Sequence, residues 1–390
     1  MEKVLVSLSI ILLVFGDSQL QKTVLGIFGA NLSFIPLVVL LLYLTYIEIT
    51  KIKVNKMLIM YVILILVSSC FGVVLFFYNF SYLDFFKYFI IYSVLFVPLV
   101  INLKYKLYAY IFLFSFLVTG FSFLIPNISE ITFFHGTENG NMRFRGLYSE
   151  ASYYAATFSA LWAIVTIYFR KNFFLIVLLS LFSFYVLFFV VYSKGILIAF
   201  ALSLVLAVIL NLRFNVKSIM FSLLVFSIIV LFTLFIVLPK LTMYFEVEKL
   251  TSLSTRLMGV LAGFYSLFIF PFGVGYTGYK EALISIYSFL RDWEYISFFE
   301  FSEIDSYISH ESTAVSTKNF FSDWFVFFGV PGALFIYFYF NRIWSDVKDD
   351  YLLSFSLVLL LLMLATFVNG IGLYALSFLL GVIVSHARTN

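Results

Sequence analysis

Residues 257–276, LMGVLAGFYSLFIFPFGVGY, decide how many times this chain crosses a membrane. The stretch is apolar enough to be a span. Yet it carries Gly259 and Gly263, stops at Pro271 and continues through Gly273, Gly275 and Gly278. Glycine and proline are poor helix-interior residues, so the segment reads as a helix lying at the interface or dipping back. P-F-G-V-G-Y-T-G then forms a tight return turn. Those glycines lack a preceding strand and a following Lys-Ser/Thr, which argues against a nucleotide loop. Counting the stretch as a crossing would move Arg342 and Lys348 to the outer side, against the charge pattern of the rest of the chain.

That pattern comes from a chain of 390 residues with 63% hydrophobic, 22% aromatic and 11% charged residues. Soluble domains carry roughly 25% charged residues, so this composition describes an all-α polytopic membrane protein. A helix needs about 20 apolar residues to cross the hydrocarbon layer. Twelve such runs are expected, centred near residues 10, 40, 67, 94, 116, 161, 182, 203, 228, 331, 360 and 378. The first, VLVSLSIILLVFG, is the shortest and follows Lys3, as a signal peptide would, but no A-x-A-like cleavage site follows it. The chain thus divides into N-terminal membrane helices (1–125), a first outer loop (126–152), central membrane helices (153–238), a large outer loop (239–320) and C-terminal membrane helices (321–390).

Cationic residues orient these spans. Lys51, Lys53, Lys56, Lys104, Lys106, Arg170, Lys171, Arg213, Lys217, Arg342 and Lys348 fall on one side, against Lys22, Lys87 and Lys194 in the short loops of the other. Retention of Lys and Arg inside puts both termini in the cytoplasm and both long loops outside. The net charge of +4 is too small and dispersed for nucleic acid. Cys70 is expected to be a small core hydrophobe, and most of the abundant phenylalanines to face lipid or neighbouring helices.

The two outer loops hold the residues suited to chemistry. In the first, a turn at Asn139, Gly140 and Asn141 leads into Arg143-Phe144-Arg145-Gly146. Alternation puts both guanidinium forks on one side of an extended strand, where they suit a diphosphate or, more simply, lipid headgroups. Ser149 is placed to cap a helix beginning near Ala151, with Glu150 in its first turn. In the second loop, Ser254 or Thr255 is expected to cap the 257–276 helix, with Arg256 at its start as an anion-binding candidate or an interfacial anchor. Asp292, Glu294, Glu300, Glu303 and Asp305 read as a solvated face without compact metal-ligand spacing. His310 lies just ahead of the span beginning near Phe320, where it can exchange a proton or donate to phosphate. His135 and His386 are expected at the surface, and Asn369-Gly370 as the tight link between the last two helices.

Four stretches together resemble the O-antigen polymerase and O-antigen ligase family of membrane glycosyltransferases. They are R-F-R-G-L-Y-S-E-A-S (143–152), S-T-R-L (254–257), P-F-G-V-G-Y-T-G (271–278), and H-E-S-T (310–313) followed by F-F-S-D-W-F-V-F-F-G-V-P-G-A-L-F with its break at Gly329-Val330-Pro331-Gly332. Glu311 stands where relatives often carry Asn. The resemblance implies a class C-like membrane glycosyltransferase in a bacterial plasma membrane, acting on its outer face on sugars carried by polyprenyl diphosphate. A polymerase of lipid-linked repeat units, making O-antigen of lipopolysaccharide or capsule, is the preferred reading. The alternatives are a ligase transferring glycan to lipid A core, or a lipid-linked oligosaccharide flippase or transporter. In the preferred reading Arg143, Arg145 and Arg256 bind the departing diphosphate, and His310 or Glu150 activates the acceptor hydroxyl. Donor and acceptor are both lipid-linked oligosaccharides, membrane lipid surrounds the site, and a chain-length regulator protein is a further partner. No D-x-D-like pair lies near the arginines, so the expected reaction needs neither a metal nor a cofactor.

Overall fold

The computed structural model describes residues 1–15, 32–51, 56–77, 82–125, 144, 146–148, 151–191, 194–210, 251–293, 301–310, 315–366 and 373–387. Among these residues helix accounts for 84% and there is no strand. The helices are α1 (Glu2–Leu12), α2 (Phe34–Lys51), α3 (Lys56–Leu75), α4 (Tyr82–Leu95), α5 (Val97–Val100), α6 (Lys106–Phe121), α7 (Ala151–Tyr168), α8 (Phe173–Tyr185), α9 (Lys194–Leu210), α10 (Thr251–Ile269), α11 (Gly275–Arg291), α12 (Ser302–Ile308), α13 (Phe320–Val347), α14 (Tyr351–Thr366) and α15 (Leu373–Ala387). Eleven of the twelve expected centres fall on helices, and the twelfth, near 228, lies outside the described residues. Lys106–Leu124, Phe173–Val190 and Phe320–Val347 are long and apolar enough to cross a membrane, and several shorter apolar helices accompany them. The chain is a helical, membrane-embedded protein.

At the centre stands α7. Every residue from Tyr154 to Ile167 is buried, with α6, α8, α9, α14 and α15 packed around it. A helix apolar on all sides belongs in the interior, and its small residues Ala155, Ala156, Ser159, Ala160 and Ala163 let the neighbours approach. The periphery is the reverse: Leu42, Leu66, Val74, Phe173, Phe174 and Phe338 turn large apolar side chains outward. Cys70 is on that outer face of α3, exposed rather than in the core, because α3 buries the opposite side around Tyr61 and Ile65.

One end of the bundle brings together Lys104, Arg170, Asp350 and His386. Arg170, just after α7, pairs with Asp350 ahead of α14 at 2.7 Å. Lys104, Arg170 and Asp350 all act electrostatically on His386. His386 is therefore not a free surface residue: it is half-buried, its ring edge-on to Tyr168 at 5.1 Å. Lys87, expected in a short outer loop, lies within α4.

The 257–276 stretch forms the end of α10, a turn and the start of α11. Helix α10 stops at Ile269, ahead of Pro271, and the chain reverses through Gly273 (φ 73°) and Gly275 (φ 59°). Helix α10 runs alongside the beginning of α13 in the same direction: a Cβ on Gly259 would fall on the Thr317 carbonyl, and one on Gly263 on Ser322. Helix α11 then returns, with Tyr279 reaching Asp323 and Tyr287 reaching Ser316. Gly72 of α3 closes against Val274 from the other side.

The turn docks where α13 is broken. Gly329 has φ 58° and ψ −148°, a conformation open in practice to glycine alone, and Pro331 lacks an N–H. In an unbroken helix the Val330 N–H would donate to the Val326 carbonyl. Here Val330 N–H donates to Pro271 O at 2.8 Å, and Val326 O receives Val274 N–H at 3.1 Å. The groups freed by the break are satisfied by the turn, as a low-dielectric surrounding demands.

Candidate functional site

At the opposite end from Arg170, segment 315–319 is held from every side. Asn319 caps α13, its side chain accepting from Ser322 N–H at 3.1 Å, and its amide donates to Ala365 O on α14. Tyr287 of α11 donates to Ser316 O at 3.2 Å. Asp323, in the first turns of α13, takes three donors on Oδ1: the Thr317 N–H at 3.1 Å, the Thr317 hydroxyl at 2.6 Å and the Tyr279 hydroxyl at 2.5 Å. The residue is only 3% exposed, so these bonds replace the water that its carboxylate loses.

A second carboxylate knots the outer side of this segment. Glu303 Oε1 meets the Lys318 ammonium at 2.8 Å and accepts from the Tyr307 hydroxyl at 2.7 Å. Thr255 of α10 hydrogen-bonds the same carboxylate. Burial would raise the Glu303 carboxyl, but the Lys318 charge and the bonds from Lys318, Tyr307 and Thr255 outweigh it and hold the group below its usual range. Tyr307 is pushed up by its own burial first and then by the Glu303 charge and bond. Its ring stacks on Tyr287 at 5.9 Å.

Two of the residues singled out from the sequence lie on the elements that this knot joins. Arg256, half-buried, follows Thr255 directly in α10. His310 is exposed, three residues after Tyr307, and donates its N–H to Tyr307 O at 3.3 Å. Its backbone has φ 60°, and Lys318 has φ 59°. Among the described residues these are the two non-glycine positions at positive φ; Lys318 pairs with Glu303, and His310 follows the helix that carries Glu303 and Tyr307.

The first loop approaches the same place. Tyr153, in the first turn of α7, acts electrostatically on Tyr307. Next to it, Tyr154 receives the ring of Phe144 edge-on at 5.4 Å and that of Tyr148 at 5.5 Å, and a Cβ on Gly146 would collide with it. Tyr148 donates to Leu13 O at 2.8 Å. The residues interleaved with the first-loop arginines are thus anchored at this end of α7. Arg143, Arg145, Ser149 and Glu150 themselves lie outside the described residues, as do His135, Glu294, Glu300, Glu311, Asn369 and Gly370. The helix expected near Ala151 begins there.

Three expectations change. Ser254 and Thr255 do not cap the helix: α10 already runs from Thr251, and both side chains are buried inside it. Arg256 consequently stands more than a turn into α10, where the partial charge of a helix terminus has faded, and its position next to Thr255, which bonds Glu303, rather than a helix end makes it a candidate. The carboxylates are not one solvated face: Glu303 is bound on three sides and Asp305 pairs with Arg291 at 2.5 Å, while Asp292 is exposed. Sequence reading passed over Lys318, Glu303 as an acceptor, and Asp323.

Below Lys318 the surface becomes apolar. A narrow cleft of about 70 Å³ runs along α13 on both sides of its break, between α4, α14 and α15, with Tyr92, Phe96, Phe320, Trp324, Phe335 and Leu376 among its walls. The cleft begins at Phe320, two residues from Lys318. Cationic groups above a hydrocarbon-lined groove suit an amphiphile with an anionic head and an apolar tail. No protein-family model matches the chain, and no curated protein matches it as a relative.

Proposed function

We propose that this chain is a membrane glycosyltransferase that polymerises polyprenyl-diphosphate-linked oligosaccharide repeat units into a surface polysaccharide, on the outer face of a bacterial plasma membrane. One observation carries the reading. Arg256 and His310, far apart in sequence, lie on elements tied together through one carboxylate, at the end of the bundle opposite the Arg170–Asp350 pair. The same end receives the flanks of Arg143 and Arg145, and an apolar cleft lined by Phe320 lies along the helix that starts there.

In this reading the chain crosses twelve times with both termini in the cytoplasm, and α10 and α11 form a re-entrant hairpin from the outer side. Gly329 lies about 14 Å along α13 from its start, so the hairpin tip reaches roughly the middle of the ~30 Å hydrocarbon layer.

The chemistry is a substitution at the donor's anomeric carbon. The acceptor hydroxyl attacks, its proton passes to His310 or Glu150, and the bond to the diphosphate oxygen breaks with the electron pair leaving on the diphosphate. Fixed guanidinium groups aimed at that growing charge lower the barrier, and Arg143, Arg145 and Arg256 fill this role without a divalent ion.

The test is Arg256→Ala and His310→Ala in a cell that makes long surface polysaccharide. Single repeat units should remain on lipid or core while the variants still insert. Undiminished long chains in both variants would remove the polymerase. Long lipid-linked chains left unattached to core would indicate a ligase, and lipid-linked repeats trapped on the cytoplasmic face a flippase.

A further inference from the structure

The Lys318–Glu303 knot has three features beyond what tying helices together requires. Its donors, the Lys318 ammonium, the Tyr307 hydroxyl and the Thr255 side chain, come from three different elements and converge on a single anionic group. The pair is reachable, with 26% of the Lys318 side chain and 31% of the Glu303 side chain exposed. Lys318 also holds a left-handed backbone that a lysine adopts only under constraint, fixed by Thr317 on Asp323 before it and by the Asn319 cap after it. Strain held in place from both sides marks a functional site more often than a structural one.

A carboxylate bound by an ammonium and two hydroxyl-bearing residues is the electrostatic equivalent of a phosphoryl oxygen in the same place. We propose that Lys318, Tyr307 and Thr255 form an anion cradle for the diphosphate of the lipid-linked substrate, and that Glu303 is its resident occupant, displaced when the substrate enters. This rests on the polymerase reading for the identity of the substrate but not for the existence of the cradle. Glu303 is then an internal competitor: the knot remains satisfied when the site is empty, and diphosphate must outbid one carboxylate. Lys318 becomes a further diphosphate-binding residue, in addition to those of the polymerase reading.

The two residues of the pair should therefore respond with opposite signs. Purified protein in phosphatidylcholine nanodiscs is titrated with inorganic pyrophosphate, and the dissociation constant is read by calorimetry. Glu303→Gln should bind roughly tenfold more tightly than the parent, and Lys318→Gln roughly tenfold more weakly, each a change of about 1.4 kcal/mol. Glu303→Asp, a methylene shorter and poorly able to fill the cradle, should also bind more tightly, and covers the case in which Glu303→Gln does not fold. Equal or weaker binding by the folded Glu303 variants overturns the proposal, since a purely structural knot loses order when either member is removed. Phosphatidylglycerol nanodiscs form a second arm: stabilisation of Glu303→Gln by that headgroup, with no further response to pyrophosphate, overturns the diphosphate assignment. Lost polymer in His310→Ala cells without the opposite-sign pair sinks the cradle alone. The opposite-sign pair with intact polymer in both Arg256→Ala and His310→Ala cells leaves the cradle and removes the polymerase.

Discussion

The two ends of the first third of α13 are built from different materials. At its start, segment 315–319 is fastened by side chains: Asp323 and Glu303 each collect three hydrogen bonds, and Asn319 reaches to α14. At Gly329, nine residues beyond Phe320, the fastening is backbone to backbone, with glycines on both partners. A side-chain knot can be retied by another side chain or by a ligand. A backbone seam that needs Gly273, Gly329 and Gly72 admits no substitute, because the space a Cβ would occupy is already filled by main chain. The rigid seam lies where the helix is broken, and the exchangeable one where the candidate chemistry is.

The largest effect should therefore come from the seam. Gly329→Ala adds a Cβ that meets the Pro271 carbonyl and forces a non-glycine residue into a glycine-only conformation. A loss of about 3 kcal/mol or more is expected, seen as lost folded protein in size exclusion after detergent extraction. A variant that folds normally would erase the contrast. Next comes Asp323→Ala, which strands the Tyr279 hydroxyl and the Thr317 N–H in a buried place, while the Thr317 hydroxyl keeps the Asn319 carbonyl. It should cost about 3 kcal/mol, whereas Asp323→Asn, which keeps an acceptor, should cost about 1 kcal/mol, compared as shifts in thermal midpoint. Equal losses would mean that charge rather than hydrogen bonding holds the segment.

The Glu303 knot should show itself in acid. Its folded pKa lies below the ordinary carboxylate value, so the folded state gains from ionised Glu303 above that ordinary value, and the gain disappears as pH falls through the lowered one. With Glu303 partly exposed the gain is below about 1 kcal/mol. Glu303→Gln should flatten the acid limb of the unfolding midpoint; an unchanged limb would show that the pair contributes nothing. The smallest effect belongs to Arg291→Ala. Its pair with Asp305 is half exposed on both sides, and no measurable change in unfolding is expected.

How much of this could be read from the letters differs between the same two places. Half of the seam was legible because glycine and proline have few other uses within apolar helices: the end of α10 before Pro271 and the return turn follow from that chemistry, whereas the break at Gly329-Val330-Pro331-Gly332 was read only through the family resemblance. The knot was not. Lys318 is one lysine in a polar link and Asp323 one acid among aromatics, and neither has a periodic partner, since Thr255, Tyr279 and Tyr307 come from other helices. The Ser254 or Thr255 cap failed because polar residues at the edge of an apolar run signal a helix start only when the helix starts there; α10 carries them on a buried face instead. Cys70 failed for the converse reason: in a span apolar all round, sequence does not tell lipid from core.

The handover of hydrogen bonds at Gly329 sets an order on biogenesis. Helices α10 and α11 leave the ribosome before α13, yet the carbonyl of Pro271 and the amide of Val274 find their partners only in residues 326–330. A bilayer interior leaves such orphaned groups several kcal/mol uphill. In the re-entrant reading, the earlier pair waits at the watery boundary until the later helix has been threaded, and sinks to its final depth as a late, post-translocational step.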